Sequence, residues 1–314
     1  MQAKRRISLG ATMRVLKLHF CLVLAGFLLA GCAGSGTADQ PLIRVGSDNF
    51  YESRLIAEIY AQKLEHEGYR VERLMSLGTR QERVPALEEG EVDLVPEYVG
   101  SGLGYYDTSQ ITADGEVNAE RLQAILEPKG ITVLDITPGE DTNTAAVRSE
   151  TAEQFGLESI GDLVAVEDEL IWGLPPDCDA NPQCRGALEL YGLDYPPALR
   201  ESFDACEVPM AEALNGKAID VAWLCANQPA IVQYGFVELI DDLGTQPAEN
   251  IAPLVRNDLL ASLDDEEAFV ALLNEVSSRL TTEELSRLGV EVEIEERDVE
   301  EVATEWLTQQ GLLE

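Results

Sequence analysis

Short apolar runs alternate with amphipathic stretches along this chain, and the alternation begins twice. Residues 42–46 form a short apolar run ending in Gly46, which reads as a strand. In 53–67, Leu55, Ile56, Ile59, Tyr60 and Leu64 fall on one helical stripe that Gly68 ends. Strand 70–77, helix 81–89 stopped by Gly90, strand 92–95, helix 119–127 and strand 131–135 follow. The grammar restarts near Asn143 with strand 143–148, helices near 151–163, strand 169–173, helices 183–191 and 208–215, and strands 219–224 and 236–240. Beyond Pro247 and Pro253 only helices follow, at 264–279, 281–288 and 298–310, and Thr281 with Glu284 is a capping-box start. Such alternation predicts an α/β protein with parallel sheets and helices on both faces. An internal echo supports two lobes: Ala86-Leu87 precedes Val92-Asp93-Leu94 by six residues, as Ala213-Leu214 precedes Ile219-Asp220-Val221. With the late helices returning to the first lobe, lobe 1 is 42–139 plus 249–314 and lobe 2 is 140–248. The chain then crosses twice, near 138–141 and 245–251, with a ligand cleft at the strand ends between the lobes.

The first 31 residues read as an address. Residues 1–17 are basic, and 18–30 is an apolar run of 13, too short to span a bilayer and suited to the core of a signal peptide. Leu29-Ala30-Gly31-Cys32 resembles the lipobox of bacterial lipoproteins, which makes Cys32 the lipidated new N-terminus and 32–41 a flexible tether. Met13 begins a complete signal by itself, so either Met1 or Met13 can start the chain. An extracytoplasmic body anchored to the membrane is expected. In that oxidising compartment Cys178, Cys184, Cys206 and Cys225 are expected to form two disulfides, Cys178–Cys184 and Cys206–Cys225 being preferred among three pairings.

Charge excludes some partners. Five of the 22 basic residues lie in the first 31, so the other 283 residues carry 17 basic against 58 acidic side chains, net −41. That excludes nucleic acid, whose phosphates need a cationic surface, and reads as a solvation trait. The runs 241–242, 264–267 and 293–296 read as solvated faces and helix starts, without calcium-loop spacing. No nucleophile elbow, P-loop or dinucleotide fingerprint is present. His66, between Glu65 and Glu67, reads as a surface side chain. No catalytic residue, metal or cofactor is assigned, and binding is favoured over catalysis.

The positive signals stand where strands end. Ser47-Asp48-Asn49-Phe50-Tyr51-Glu52 follows the first strand, and Pro96-Glu97-Tyr98-Val99-Gly100-Ser101 follows strand 92–95. A helix starting in the second loop would aim amide N–H groups and the Ser101 hydroxyl into the cleft. Cleft tyrosines suit a quaternary ammonium, which cannot donate hydrogen bonds and is held by ring faces. Tyr98 is placed for the cleft, while Phe50 and Trp172 fit core or cleft equally.

On these stretches, with Pro85-Ala86-Leu87, Val147-Arg148, Thr151-Ala152, Gly173-Leu174-Pro175-Pro176 and Pro247 to Arg256, the chain resembles the substrate-binding lipoproteins of osmoprotectant ABC importers, the glycine betaine/choline-binding OpuAC-like family. The resemblance covers roughly 42–313. It implies a two-lobed type II periplasmic-binding-protein fold, a small-molecule solute, delivery to an ABC permease, and no enzymatic turnover; a monomer is expected. It places the family's cage tyrosines on Tyr98 and Tyr234, a hydroxyl on Ser101, and the pair at the lobe crossing on Asp141 and Thr142. The expected ligand-binding set is Asn49, Phe50, Tyr51, Tyr98, Ser101, Asp141, Thr142, Asn143, Asn227 and Tyr234. Three positions depart from the family. Its usual Lys is Asp48, and two of its cage tyrosines are Asn143 and Ala211. An acid at 48 is expected to repel a carboxylate-bearing ligand. A quaternary-ammonium osmolyte therefore stands beside an amino-acid or histidine betaine on the same scaffold, and an extracytoplasmic enzyme using cleft carboxylates is the reading from another class.

Overall fold

The two halves of the chain build sheets of one plan. The structure, a computed structural model, describes residues 41–176, 178–203 and 208–313. The first half gives β1 (Leu42–Gly46), α1 (Tyr51–His66), β2 (Arg70–Leu74), α2 (Arg80–Glu89), β3 (Leu94–Tyr98), α3 (Val99–Tyr106), α4 (Gly115–Leu126) and β4 (Ile131–Val133). The second gives β5 (Asn143–Arg148), α5 (Ser149–Phe155), β6 (Trp172–Leu174), α6 (Ala187–Tyr191), β7 (Arg200–Ser202), α7 (Val208–Asn215), β8 (Val221–Cys225), α8 (Pro229–Tyr234) and β9 (Phe236–Leu239). Then β10 (Ile251–Arg256) returns to the first sheet, followed by α9 (Asn257–Leu260), α10 (Glu266–Ser277), α11 (Thr282–Gly289) and α12 (Val299–Gln309). The strand orders are β2-β1-β3-β10-β4 and β7-β6-β8-β5-β9. They match when β6 to β9 stand for β1 to β4 and β5 stands for β10.

The sheets are mixed, where the alternation predicts parallel ones. β10 runs antiparallel to β3 and β4, and β5 runs antiparallel to β8 and β9. The other pairs are parallel. β5 and β10 are the strands that enter a sheet from the other one. No crossover within a sheet leads into either, so the constraint that makes βαβ neighbours parallel does not act on them.

The two crossings hydrogen-bond to each other. Thr137 N–H donates to Ile251 O at 2.8 Å and Asp141 N–H to Glu249 O at 3.2 Å, with an antiparallel bridge between Glu140 and Asn250. This pairing sets Asp141 and Glu249 side by side between the sheets.

One core joins Ile43, Leu55 and Tyr60 to Phe269, Leu273 and Trp306 of the late helices. A second surrounds Trp172, which is fully buried against Tyr195 and belongs to the core. The acidic run 264–267 is a helix start, with Asp265 accepting Ala268 N–H at 3.0 Å. Thr281 accepts Glu284 N–H at 3.2 Å, but the Glu284 carboxylate turns to Trp306 Nε1 at 2.8 Å. Half of the expected capping box is therefore exchanged for a tertiary bond. Cys178 and Cys184 are disulfide-bonded. Cys225 is disulfide-bonded too; Cys206, its expected partner, lies outside the described residues, as do residues 1–40 with Cys32.

Candidate functional site

The Pro-Glu-Tyr-Val-Gly-Ser stretch organises the cleft residue by residue. Pro96 to Tyr98 lie in β3 itself, and α3 follows without a loop. Glu97 is buried, accepts Tyr98 N–H at 2.9 Å, and pairs with Arg83 at 2.7 Å and Arg80 at 3.0 Å. Burial alone would raise the Glu97 carboxyl, but Arg83 and Arg80 hold it below the usual range. The Tyr98 hydroxyl donates to Glu52, and the ring packs at a tilt against that of Phe50, with centroids 5.8 Å apart. Gly100 lets the second crossing pass close by, since a Cβ there would stand 2.6 Å from Ala248 O. Ser101 gives both its N–H and its hydroxyl to Glu249, at 2.9 and 2.8 Å. The amide expected to face the cleft is therefore already taken.

Two adjoining chambers result. The larger, about 510 Å³, is lined by Phe50, Tyr51 and Glu52 from the first lobe and by Val208, Glu212, Asn227, Pro229 and Tyr234 from the second. Asp141 and Glu293 line it as well. Its size suits a small solute. The smaller, about 220 Å³, is lined by Phe50, Arg80, Tyr98, Ser101, Asp141, Asn143, Gln183, Pro247 and Glu249. Phe50 and Asp141 face both. Across the cleft, Asn227 Nδ2 donates to Glu52, so one carboxylate is held by a tyrosine of the first lobe and an amide of the second.

The electrostatics are those of buried acids. Burial pushes Glu52 up to about 7, with the Tyr98 hydrogen bond opposing and Glu293 adding to the rise. Burial, then Glu52 and Glu249, hold Asp141 well above the usual carboxylate range. Burial also pushes Glu249 up to about 7 against the Ser101 bonds. Burial and the neighbouring carboxylates push the hydroxyls of Tyr51 and Tyr98 upward. A site of neutral rings beside acids favours a cation.

Of the residues expected in the site, Phe50, Tyr51, Tyr98, Ser101, Asp141, Asn143, Asn227 and Tyr234 line one or both chambers. Asn49 is exposed and lines neither; its N–H donates to Gly78 O at 3.1 Å. Thr142 turns to the other side of the crossing, where its hydroxyl donates to Pro247 O at 2.8 Å. Asp48 lines neither chamber. It is buried, paired with Arg83 at 2.7 Å, and so presents no charge to a ligand. This overturns the expected repulsion. Ala211 is core, and α7 brings Val208 and Glu212 to the cleft instead. Sequence reasoning missed Glu52, Arg80, Glu249 and Glu293 as cleft groups. Glu293 belongs to a run read as a solvated face. Glu52 and Glu249 had a signal, since both stand inside the stretches that carry the family resemblance.

Comparison with known proteins places the chain in a family. Residues 41–309 match the family described as the substrate binding domain of the ABC-type glycine betaine transport system. A glycine-betaine-binding protein of Pseudomonas aeruginosa is 28% identical over 304 residues, 94% of each chain. The glycine betaine-binding protein YehZ of Escherichia coli is 26% identical, covering 86% of this chain and 90% of its own. Among solved structures, apo YehZ superposes with a TM-score of 0.77 at 24% identity, over 86% of this chain and 99% of that one. A glycine betaine/carnitine/choline ABC transporter structure gives 0.79 at 21%, over 87% and 100%. The fold is that of the two-lobed periplasmic binding proteins, and proteins of this family are extracytoplasmic, bind small solutes and work with an ABC permease. The chain belongs to the family of substrate-binding domains of ABC-type glycine betaine transport systems.

Proposed function

We propose that the protein captures a small quaternary-ammonium osmolyte of the glycine betaine/choline type between its lobes and delivers it to the permease without turnover. The lobes are then 42–139 plus 249–314 and 140–248. After loss of 1–31 the monomeric body hangs from the membrane by a lipid on Cys32. The observation that supports this best is the larger chamber, where Phe50, Tyr51 and Tyr234 stand around a buried acid and Tyr98 holds that acid from behind. Ring faces and carboxylates together attract a charge that cannot itself donate hydrogen bonds.

Calorimetry on the purified body tests it against choline, glycine betaine, carnitine, proline betaine and ergothioneine. Saturable binding of a trimethylammonium compound at micromolar to submillimolar concentration is expected, with the compound recovered unchanged. Tyr98→Ala removes a ring and the Glu52 partner, and is expected to weaken binding at least about tenfold while the protein still melts cooperatively. Unchanged affinity in that variant, or a chemically altered ligand, would refute the assignment.

A further inference from the structure

We propose that Asp141 makes the cleft selective for solutes that combine positive charge with a hydrogen-bond donor and carry no carboxylate, as amino-alcohol cations of the choline type do, over zwitterionic betaines. The proposal rests on the reading of the cleft as the capture site and specifies what that site prefers.

The first observation concerns Asp141 itself. It stands at the lobe crossing and lines both chambers. Its Oδ1 is shut off from solvent and has no hydrogen-bond partner among the described residues. An unpaired buried carboxyl oxygen is costly; a cation in the chamber favours the ionised form that burial and the neighbouring acids oppose, and a donor on the same solute then satisfies the oxygen. A trimethylammonium group brings none, because ring faces hold it through charge alone. The donor must therefore be a hydroxyl or an N–H elsewhere on the solute. Three nearby donors are directed to other carboxylates, Tyr98 and Asn227 to Glu52 and Ser101 to Glu249.

The second observation concerns charge. Among the described residues no basic side chain lines the larger chamber, while Glu52, Asp141, Glu212 and Glu293 do. The smaller chamber has Arg80, but its guanidinium is already paired with Glu97 at 3.0 Å and stands in a chamber that Glu249 also lines. A solute carboxylate would meet acids on one side and a matched cation on the other. This is discrimination by an unfavourable contact as much as by a favourable one.

Three probes separate the parts of the argument by calorimetry on the full mature chain: choline, its methyl ether (same charge, no donor) and glycine betaine. In the wild type, choline is expected to bind at least about tenfold more tightly than either of the others, the range for one hydrogen bond to a charged acceptor. In Asp141→Ala the gap between choline and its ether should close to within about twofold. Asp141→Asn keeps an acceptor oxygen without the charge and should retain part of the gap. Should Asp141→Ala fail to melt cooperatively, the wild-type series and Asp141→Asn decide. Equal binding of choline and its ether by the wild type, or a gap that survives in Asp141→Ala, overturns the role of Asp141. Glycine betaine binding most tightly overturns the selectivity while leaving capture intact. If none of the three, nor carnitine, binds at millimolar concentration, capture and selectivity fall together.

Discussion

In the first lobe Asp93 Oδ2 accepts the Arg44 N–H at 2.9 Å, and in the second Asp220 Oδ2 accepts the Ile171 N–H at 3.1 Å. Each carboxylate thus ties the start of its own strand to a neighbouring strand, β1 or β6. The reversed strands end alike as well. Arg256 on β10 donates to Leu87 O at 3.2 Å, and Arg148 on β5 donates to Leu214 O at 2.7 Å, so each binds a helix carbonyl beside the matching Asp strand. What the lobes do not share is the end of the central parallel strand. β3 runs into a buried chain of ion pairs, Asp48–Arg83–Glu97–Arg80, whereas β8 runs into Asn227 and the start of α8. The lobes therefore repeat a scaffold and diverge at the cleft. The first lobe fixes most of the rings and the ion pairs in place; the second reaches over with an amide, Tyr234, Glu212 and an apolar rim.

The largest effect that would break this comparison is expected at Arg83. Its side chain is fully buried and compensates Asp48 and Glu97 together. Arg83→Met leaves both acids buried without their shared partner and is expected to cost about 3–5 kcal/mol in urea unfolding. A loss below about 1 kcal/mol would mean that the ion chain does not hold the first lobe's strand end in place.

A smaller effect follows from the cleft acids. Glu52 and Glu249 ionise near 4.5 when unfolded and near 7 when folded, chiefly through burial. The folded state therefore holds protons that the unfolded state has released. The stability they contribute is complete below about pH 4.5 and is lost as pH rises through about 7. The free protein is expected to lose on the order of 3 kcal/mol between pH 5 and pH 6.5. Glu238 on β9 is pushed up to about 7 too, by burial and then by Glu140, so Glu52→Gln should flatten the slope without abolishing it. Stability that is level or rises over this interval would show that the acids are not held as described.

How far the sequence carried depended on the range of the forces involved. Local periodicity sufficed for most strands and helices, because the stripe of Leu55, Ile59 and Tyr60 or the stop at Gly90 needs no distant partner. Strand direction did not follow, since β5 and β10 are reversed by the path between lobes, which no window of residues contains. The same divide runs through the site. Tyr98 was legible from its motif, but the carboxylate it holds lies 46 residues away, and Ser101 meets Glu249 across 148. A lone Glu in a first helical turn, like Glu52, reads as an acid that favours a helix start. Asp48 misled for the converse reason: its type was visible, and the Arg83 that neutralises it was not.

The finest test asks whether the repeated clasps are equivalent. Asp93 is the better protected, its side chain 8% exposed against 26% for Asp220, and it takes three bonds from Arg44 alone. Asp220 takes one from Ile171 and one from Arg148. Hydrogen bonds to charged groups weaken as solvent competes for them. Asp93→Ala is therefore expected to cost about 2 kcal/mol and Asp220→Ala about 1 kcal/mol in urea unfolding. If the clasps belong to separate sheets, the double variant should lose their sum to within about 0.5 kcal/mol. A larger departure would mean that the repeated elements report on each other through the crossings. The lobes would then be one cooperative unit with two similar halves, and the likeness of their clasps could not be read as two copies of an independent scaffold.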